Sequence, residues 1–336
     1  MGPRGCVMQG WRLYVMAGVC VAALLLWLLL GLEKQQPDPR PTALPQGRFV
    51  RSVGGDIQRR PRSELRTQPP RVLCLVVTSP QYHQGRARHL RATWGKEGSG
   101  ACPNTVFLTT APDDILQNVI ISNFSRYEDL WGKVLEGLMS LNTSAADWFL
   151  KADDDTFLIY PHLLSLLAPL DPSKALYLGL PLVYRPEGGE EVTYMSGGAG
   201  YVLSRAALVR LQAAHAPARC RNPGHTRYED VNMGYCMADL GVREVDTRDA
   251  LNRPRFLPYP PWRLLQPHPS PDLTWLTNFS KYKFHFGAQS LSDRVVSFHE
   301  IRDPVDFYLL QYLVYDLRLL PQGSSRPFTP SKTPPQ

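Results

Sequence analysis

The chain has 336 residues and a formal net charge of +7, from 37 lysine and arginine residues against 30 aspartate and glutamate residues. Much of the basic excess lies in a proline-rich segment near the N-terminus and around Arg86, Arg88 and Arg91. Because the N-terminus predicts transfer of the chain into the secretory lumen, nucleic acid is excluded as a partner, and we expect the basic surface to serve an anionic substrate or solubility.

An apolar run occupies residues 11–32, and no charge lies between Arg12 and Glu33. A run of this length is sufficient to cross a bilayer as a helix. Arg4 and Arg12 come first, so the positive-inside rule leaves residues 1–10 in the cytosol. A cleaved signal peptide is the alternative, but the run is longer than its usual apolar region and lacks an obvious cleavage site. We therefore expect a signal anchor and a type II membrane protein.

The remaining chain divides by composition into three segments. Residues 33–70 are rich in Pro, Arg, Gln and Ser, which predicts an unfolded lumenal stem. Residues 71–320 have the length of one large globular domain or of two tightly packed halves. Residues 321–336 are expected to be disordered. Three N-glycosylation sequons fit a lumenal placement, at Asn123, Asn142 and Asn278.

Four of the six cysteines fall in the lumenal part. In an oxidising compartment an even number of cysteines favours disulfides. We expect Cys74 to pair with Cys102 and Cys220 with Cys236, because each pair brackets a compact local unit. Buried free thiols are the alternative, and no C-x-x-C spacing indicates zinc.

Apolar runs alternate with helical patterns through the domain. In chain order the patterns predict a strand at 72–78, a helix at 87–94, a strand at 105–109, a helix at 129–140, a strand at 148–151, a helix at 161–167, a strand at 176–180, a helix at 205–214 and a strand at 295–298. This alternation predicts an α/β fold with a mostly parallel central sheet flanked by helices. In such sheets ligands bind beyond the carboxyl ends of the strands.

Three consecutive aspartates, Asp153, Asp154 and Asp155, follow the predicted strand at 148–151. Carboxylates this close repel one another and resist burial, so they need a compensating positive charge. Mg²⁺ or Mn²⁺ suits such oxygen ligands and leaves positions for substrate phosphates. The alternatives are a solvated acidic turn or a helix N-cap formed by Asp155 and Thr156. The setting after an apolar strand favours a metal-bound nucleotide diphosphate.

Three other places in the sequence contain candidate site residues. The glycine-rich segment 197–200 permits close backbone approach to a ligand, although a tight turn explains it equally well. Glu229 and Asp230 either cap the helix that follows or supply a general base for a hydroxyl nucleophile. His299 ends the last apolar strand; a lone histidine is usually an ordinary surface or hydrogen-bonded residue, but it would be a normal third ligand beside two carboxylates.

Six motifs occur in the order VLCLVVTSP, RHLRATWG, DWFLKADDDTF, YMSGGAGYVLS, YEDV and VSFHE. Together they resemble the inverting β1,3-glycosyltransferases of Golgi membranes, and most closely the core 1 β1,3-galactosyltransferase group, also called the T-synthase group. The resemblance spans residues 71–318. It implies a GT-A type nucleotide-sugar domain in the Golgi lumen, Mn²⁺ as cofactor, UDP-galactose as donor, and N-acetylgalactosamine on Ser or Thr of glycoproteins as acceptor.

The resemblance also implies roles for single residues. Asp153 and Asp155 would flank the metal and nucleotide, with Asp155 and His299 as direct ligands, and Asp230 would be the base with Glu229 beside it. Further donor-binding residues that it implies are Thr78, Arg91 and Trp94 on the nucleotide side, Asp153 and Asp154 near the metal and nucleotide, and Tyr194, Gly197 and Gly198 along the sugar pocket.

One departure from the T-synthase group concerns the acceptor side. Members carry an adjacent cysteine pair shortly before the VSFH motif, where this chain reads HFGAQSLSDRVVSFH. The alternative functions are a fringe-like transfer of N-acetylglucosamine and a non-catalytic, chaperone-like role, and the retained acidic motifs favour an enzyme. A folding chaperone and a second copy of the chain are further candidate partners.

Overall fold

The computed structural model describes residues 68–96, 101–213, 220 and 226–318. The predicted anchor at 11–32, most of the predicted stem and the tail at 321–336 lie outside these residues. Within the described part of the chain, no helix combines the length and apolar character needed to cross a membrane.

The described residues form twelve strands, and their bounds in chain order are β1 (Val72–Val77), β2 (Asn104–Thr109), β3 (Val119–Ile121), β4 (Trp148–Asp153), β5 (Phe157–Leu158), β6 (Leu176–Leu178), β7 (Pro181–Tyr184), β8 (Val192–Met195), β9 (Tyr201–Ser204), β10 (Arg243–Glu244), β11 (Phe256–Leu257) and β12 (Ser297–Phe298). The α-helices are α1 (Pro80–Tyr82), α2 (Arg88–Ala92), α3 (Leu130–Ser140), α4 (Tyr160–Leu167), α5 (Arg205–Gln212), α6 (Glu229–Asp239), α7 (Pro261–Leu264), α8 (Trp275–Phe279) and α9 (Pro304–Gln311).

The central sheet has seven strands in the order β10-β6-β9-β4-β1-β2-β3. Four of its six neighbouring pairs are parallel, and the two pairs that involve β9 are antiparallel. All six residues of β1 are buried, as expected for an apolar, β-branched strand in the middle of a sheet that is covered on both faces. The predicted α/β class with a mostly parallel sheet flanked by helices is confirmed.

Alternate residues of β1 enter two separate hydrophobic clusters, one on each face of the sheet. Val72 and Val76 pack in the cluster that contains Trp94. Leu73 and Leu75 pack in the cluster that contains Trp131, on the apolar face of α3. The sheet is therefore a rigid central layer, and the carboxyl end of β4 is held between its neighbours.

A second, three-stranded sheet has the order β11-β12-β5. Its strand β5 follows the three aspartates directly, and it pairs antiparallel with β12, with Phe157 opposite Phe298. His299 is the next residue after β12. This pairing joins the acidic turn to the C-terminal part of the domain, and the Ile301 N–H donates to the Asp155 carbonyl at 2.9 Å.

Most predicted elements are present, with shifts at their ends. The predicted helix at 87–94 is α2, which continues from a π-helical turn at His83–Ala87. The strand that carries the aspartates extends to Asp153. The predicted strand at 295–298 keeps only its last two residues. Both expected disulfides are present, Cys74–Cys102 and Cys220–Cys236.

Candidate active site

The three aspartates form a turn between β4 and β5. Asp153 ends β4 beside Val77 of β1, and the Thr156 N–H donates to the Asp153 carbonyl at 3.2 Å. Asp154 and Asp155 are buried, whereas the side chain of Asp153 is 30% exposed. Because a strand follows Thr156, the proposed helix N-cap of Asp155 and Thr156 is wrong: the turn leads into the second sheet.

Asp154 turns inward. The Thr78 hydroxyl donates to its Oδ2 at 2.7 Å, and Nη1 of Arg86 lies 3.3 Å from its Oδ1. Burial raises the pKa of Asp154 to about 7, although the hydrogen bond from Thr78 opposes this shift. The same Arg86 nitrogen lies 3.2 Å from Oδ2 of Asp155. Arg86 thus offsets charge on the two buried aspartates from one side.

His299 faces the other oxygen atoms of the turn. Its Nε2 lies 3.0 Å from Oδ1 of Asp155 and 3.8 Å from Oδ2 of Asp153. Burial opposes protonation of His299 and ionisation of Asp155, but the hydrogen bond and charge interaction between them raise the pKa of His299 and, together with nearby arginines, lower the pKa of Asp155. The imidazole Nδ1 lies 3.3 Å from the Pro258 carbonyl, which fixes the ring orientation.

Asp153, Asp155 and His299 can each offer one ligand atom, and these three atoms lie within 4.8 Å of one another. Two carboxylate oxygens and one imidazole nitrogen suit Mn²⁺ and related divalent ions. A cation at this point would replace the positive charge that a protonated His299 supplies beside Asp155. The three residues that the sequence predicts as metal ligands are therefore brought together in a geometry that fits a divalent ion.

The glycine-rich segment packs between this group and a second acidic group. A Cβ atom on Gly198 would lie 2.2 to 2.6 Å from three ring atoms of His299. A Cβ atom on Gly197 would lie 3.0 Å from Oε2 of Glu229. These distances explain why side chains are absent here, and they support the tight-turn explanation of the glycines. A role for Gly197 and Gly198 in donor binding stays a prediction.

The second acidic group lies in the first turn of α6. Glu229 is buried, and its Oε1 accepts a hydrogen bond from the Tyr201 hydroxyl at 2.7 Å. Its Oε2 lies 3.5 Å from Nζ of Lys151, which also lies 2.7 Å from Oδ1 of Asp153. Burial acts to lower the pKa of Lys151, but Asp153 and Glu229 outweigh it and raise that pKa. Lys151 therefore stays charged and connects the two acidic groups.

Asp230 is held by backbone donors rather than by a cation. Gly197 N–H donates to its Oδ2 and Val231 N–H to its Oδ1, both at 2.9 Å. The side chain is partly buried. Burial raises its pKa above the ordinary aspartate value, while the two N–H bonds limit the shift. The Val231 N–H belongs to the first turn of α6, and Asp230 accepts its hydrogen bond. The alternative that the paired acids cap this helix therefore holds in part for Asp230.

The other predicted donor residues occupy different positions. The Trp94 indole is fully buried and donates to the Thr156 carbonyl at 2.8 Å, so it supports the acidic turn from beneath. Arg91 donates to Oε1 of Gln117 at 2.5 Å. Tyr194 is buried in β8. Burial is the main cause that raises its pKa, and the negative charge of Asp230 raises it further.

Sequence reasoning missed four residues that build the site: Arg86, Lys133, Lys151 and Tyr201. The two lysines could have been recognised from the sequence, because each lies among apolar residues. Lys151 interrupts the apolar strand WFLKAD, and Lys133 lies beside the apolar residues of α3. A lysine at such a position needs a buried partner. Nζ of Lys133 donates to the Thr78 carbonyl at 2.6 Å.

The fold and the Asp153, Asp155 and His299 group define an α/β domain with a candidate divalent-metal site at the carboxyl ends of its strands. The sequence matches the Fringe-like family over residues 67–251, more than half of the chain. The protein therefore belongs to the Fringe-like family of β-1,3-glycosyltransferases. Together with the sheet described above, this membership confirms the expected GT-A type fold.

Two relatives and one solved structure illustrate the likeness. The chain is 32% identical over 261 residues to the glycoprotein-N-acetylgalactosamine 3-beta-galactosyltransferase 1 of Xenopus laevis, covering 76% of this chain and 69% of the relative. It is 28% identical to the N-acetyllactosaminide beta-1,3-N-acetylglucosaminyltransferase 4 of Mus musculus, covering 52% of this chain and 57% of the relative. The galactosyltransferase LgtC, in complex with donor and acceptor sugar analogs, aligns with a TM-score of 0.39 and 12% identity, covering 74% of this chain and 97% of that chain.

Proposed function

We propose that this protein transfers galactose from UDP-galactose, with inversion and in β1,3 linkage, to N-acetylgalactosamine on Ser or Thr of glycoproteins. The proposal rests on two acidic groups that lie on opposite sides of the glycine turn at 197–200. Asp155 and His299 lie on one side, and Asp230 lies on the other. A transferase that uses a nucleotide sugar needs a place for the diphosphate and a separate proton acceptor.

On the donor side, Asp153, Asp155 and His299 would hold Mn²⁺. When bound, the ion would offset the negative charge that develops on the diphosphate as the glycosidic bond breaks. The protein residues keep this side rigid, because Pro258 orients His299 and Arg86 fixes Asp155.

On the acceptor side, Asp230 would accept the proton of the attacking hydroxyl. The hydroxyl oxygen forms a bond to the anomeric carbon from the face opposite the diphosphate, the bond to the diphosphate oxygen breaks, and the proton moves to the Asp230 carboxylate. Its raised pKa suits a base, and the Gly197 and Val231 N–H groups hold it in place. Glu229 would orient Lys151 and Tyr201 beside it.

The similarity to the Xenopus laevis relative favours galactose as donor sugar and an N-acetylgalactosamine acceptor. Transfer of N-acetylglucosamine is the second candidate, favoured by the likeness to the Mus musculus relative. The apolar run at 11–32 further supports a type II membrane protein with its catalytic domain in the lumen. The motif resemblance implies the Golgi as its compartment.

A donor screen tests the proposal. The purified full-length chain is incubated with Mn²⁺, a GalNAc-α-Ser/Thr peptide and a panel of UDP-sugars, with and without EDTA. We expect EDTA-sensitive transfer from UDP-galactose. Transfer from UDP-N-acetylglucosamine instead would establish the second candidate. Absence of transfer from every donor, together with absence of UDP and Mn²⁺ binding, would contradict an enzymatic role and favour a chaperone-like one.

A further inference from the structure

A cavity of about 470 Å³ lies among residues that take no part in the site described above. One wall is the loop between β10 and β11, and the other is the segment that precedes β12. The basic residues of its lining are Arg248, Arg253, Lys283 and His285. A volume of this size accommodates one or two sugar rings.

The two arginines are held in fixed orientations by carboxylates outside the cavity lining. Arg248 forms a fork with Asp246, with Nη2 2.8 Å from Oδ2, and its guanidinium lies 3.6 Å from the centre of the Tyr282 ring. Arg253 contacts Asp249 through Nε at 2.6 Å and Asp293 through Nη2 at 2.9 Å. Among the described residues, Nη1 of each arginine has no partner. Preorganised guanidinium groups of this kind bind carboxylates and sulfates well.

Lys283 adds a third permanent positive charge. Its side chain is exposed and contacts no carboxylate among the described residues. The carboxylates of Asp246, Asp249 and Asp293 offset the charges of the two arginines from outside the lining, so Lys283 supplies the positive charge that lacks a carboxylate partner among the described residues. An anion in the cavity would pair with Lys283 and accept hydrogen bonds from Nη1 of each arginine, and burial of part of the ligand would strengthen the attraction.

The lining also contains neutral hydrogen-bonding groups. Asn252, Gln289 and Ser290 contribute amide and hydroxyl groups beside the cations. A narrow extension shares Arg248 and Lys283 and is lined by Ser280, whose buried Oγ has no hydrogen-bond partner within the described part of the chain. Such a set suits a ligand that carries several hydroxyl groups as well as a negative charge.

We propose that this cavity binds an acidic sugar, free or at the end of a glycan chain, through Arg248, Arg253 and Lys283. The proposal does not depend on the transferase function. A carboxylate or sulfate would contact the three cations, while the sugar hydroxyl groups would contact Asn252 and Gln289.

Calorimetric titration of the purified full-length chain tests the proposal with two matched pairs of probes: glucuronic acid against glucose, and sialyllactose against lactose. Binding of the acidic member of a pair, at least about tenfold tighter than its neutral partner, is expected. Tighter binding of sialyllactose than of free sialic acid would assign the cavity to a glycan terminus, and the reverse would assign it to a free acid.

Variants locate the binding. Lys283→Gln should weaken acidic-sugar binding by about tenfold, the loss of one charge-assisted hydrogen bond, and Lys283→Glu should weaken it further. Lys174→Gln removes the same charge from an exposed lysine outside the cavity and should leave binding unchanged. The proposal is overturned if neutral and acidic sugars bind equally, if none binds, if inorganic sulfate binds as tightly as the acidic sugars, or if the two glutamine variants behave alike.

Discussion

The two acidic groups of the site balance their negative charge in different ways. The turn at Asp153 and Asp155 relies on buried Lys151, which it shares with Glu229, on the partly exposed Arg86, and on His299, whose charge depends on a proton. Glu229 and Asp230 are satisfied by fixed donors: buried Lys151, the Tyr201 hydroxyl and two backbone N–H groups. The turn is therefore suited to receive a cation from outside, whereas the start of α6 is suited to hold a carboxylate in one position.

The largest loss of turnover is expected for substitution of a candidate metal ligand. Asp155→Ala removes one of the three candidate ligand atoms, and the several kcal/mol of transition-state stabilisation that a metal supplies correspond to at least about a 10³-fold loss of turnover. Initial rates of sugar transfer at saturating Mn²⁺ measure it. Asp114→Asn, at an exposed aspartate outside the site, should leave the rate unchanged.

Asp155→Ala also removes the carboxylate that pairs with Arg86 and His299, so it should lower the urea midpoint as well. Rates are therefore compared under conditions in which urea unfolding shows that the variant is folded. Turnover of Asp155→Ala within tenfold of wild type would show that the acidic turn does not hold a catalytic metal.

The second-largest loss of turnover is expected for substitution of Asp230, which is held by two backbone N–H groups. Asp230→Asn keeps the shape of the side chain but removes the base, so the turnover number should fall by about 10² to 10⁴-fold. Binding of UDP and Mn²⁺ should be largely retained, because Asp230 is not among the candidate metal ligands. Steady-state kinetics combined with calorimetric UDP titration separate the two effects. Near-normal turnover would assign the base elsewhere.

The pH dependence sharpens this prediction. Burial raises the pKa of Asp230 above its ordinary value of 3.8, and a base acts only when deprotonated. Activity should therefore fall as the pH decreases through this raised pKa, so the acid limb of the rate profile should lie above pH 3.8. The residual activity of Asp230→Asn should lack that limb.

The third effect is on stability. Lys151→Met leaves Glu229 buried without its cation, which should lower the free energy of unfolding by about 3 to 5 kcal/mol. Lys281→Met is the matched control: its Nζ lies 2.5 Å from Oε2 of Glu244, but both side chains are 35% exposed. Loss of such a surface pair should cost at most about 1 kcal/mol. Urea unfolding measures both variants.

A double variant tests whether the unpaired charge of Glu229 causes the loss of stability in Lys151→Met. Lys151→Met combined with Glu229→Gln removes the uncompensated charge and should recover part of the lost stability. If Lys151→Met and Lys281→Met were equally stable, the start of α6 would not depend on an internal cation, and the contrast between the two acidic groups would disappear.

The sequence predicted the local parts of this arrangement well. Apolar strands, the acidic turn and the glycine turn are read within short windows, so their positions followed from the pattern of residues. The motif resemblance also placed His299 beside Asp155, which no local pattern could do, because their proximity depends on the pairing of β5 with β12. Arg86 and Tyr201 were missed for the same reason: each becomes a partner of an acid only through tertiary packing.

The smallest effect tests the close packing that joins the two groups. Gly198→Ala places a methyl group within 2.6 Å of the His299 ring, so the ring must move and its Nε2 must shift from the ligand position. A displaced ligand should weaken Mn²⁺ binding by about 10 to 100-fold, as measured by calorimetric titration. Gly85→Ala is the control, since a Cβ atom there meets nothing within 4 Å. Equal Mn²⁺ affinity in both variants would mean that His299 tolerates displacement, and that Asp153 and Asp155 suffice to hold the ion.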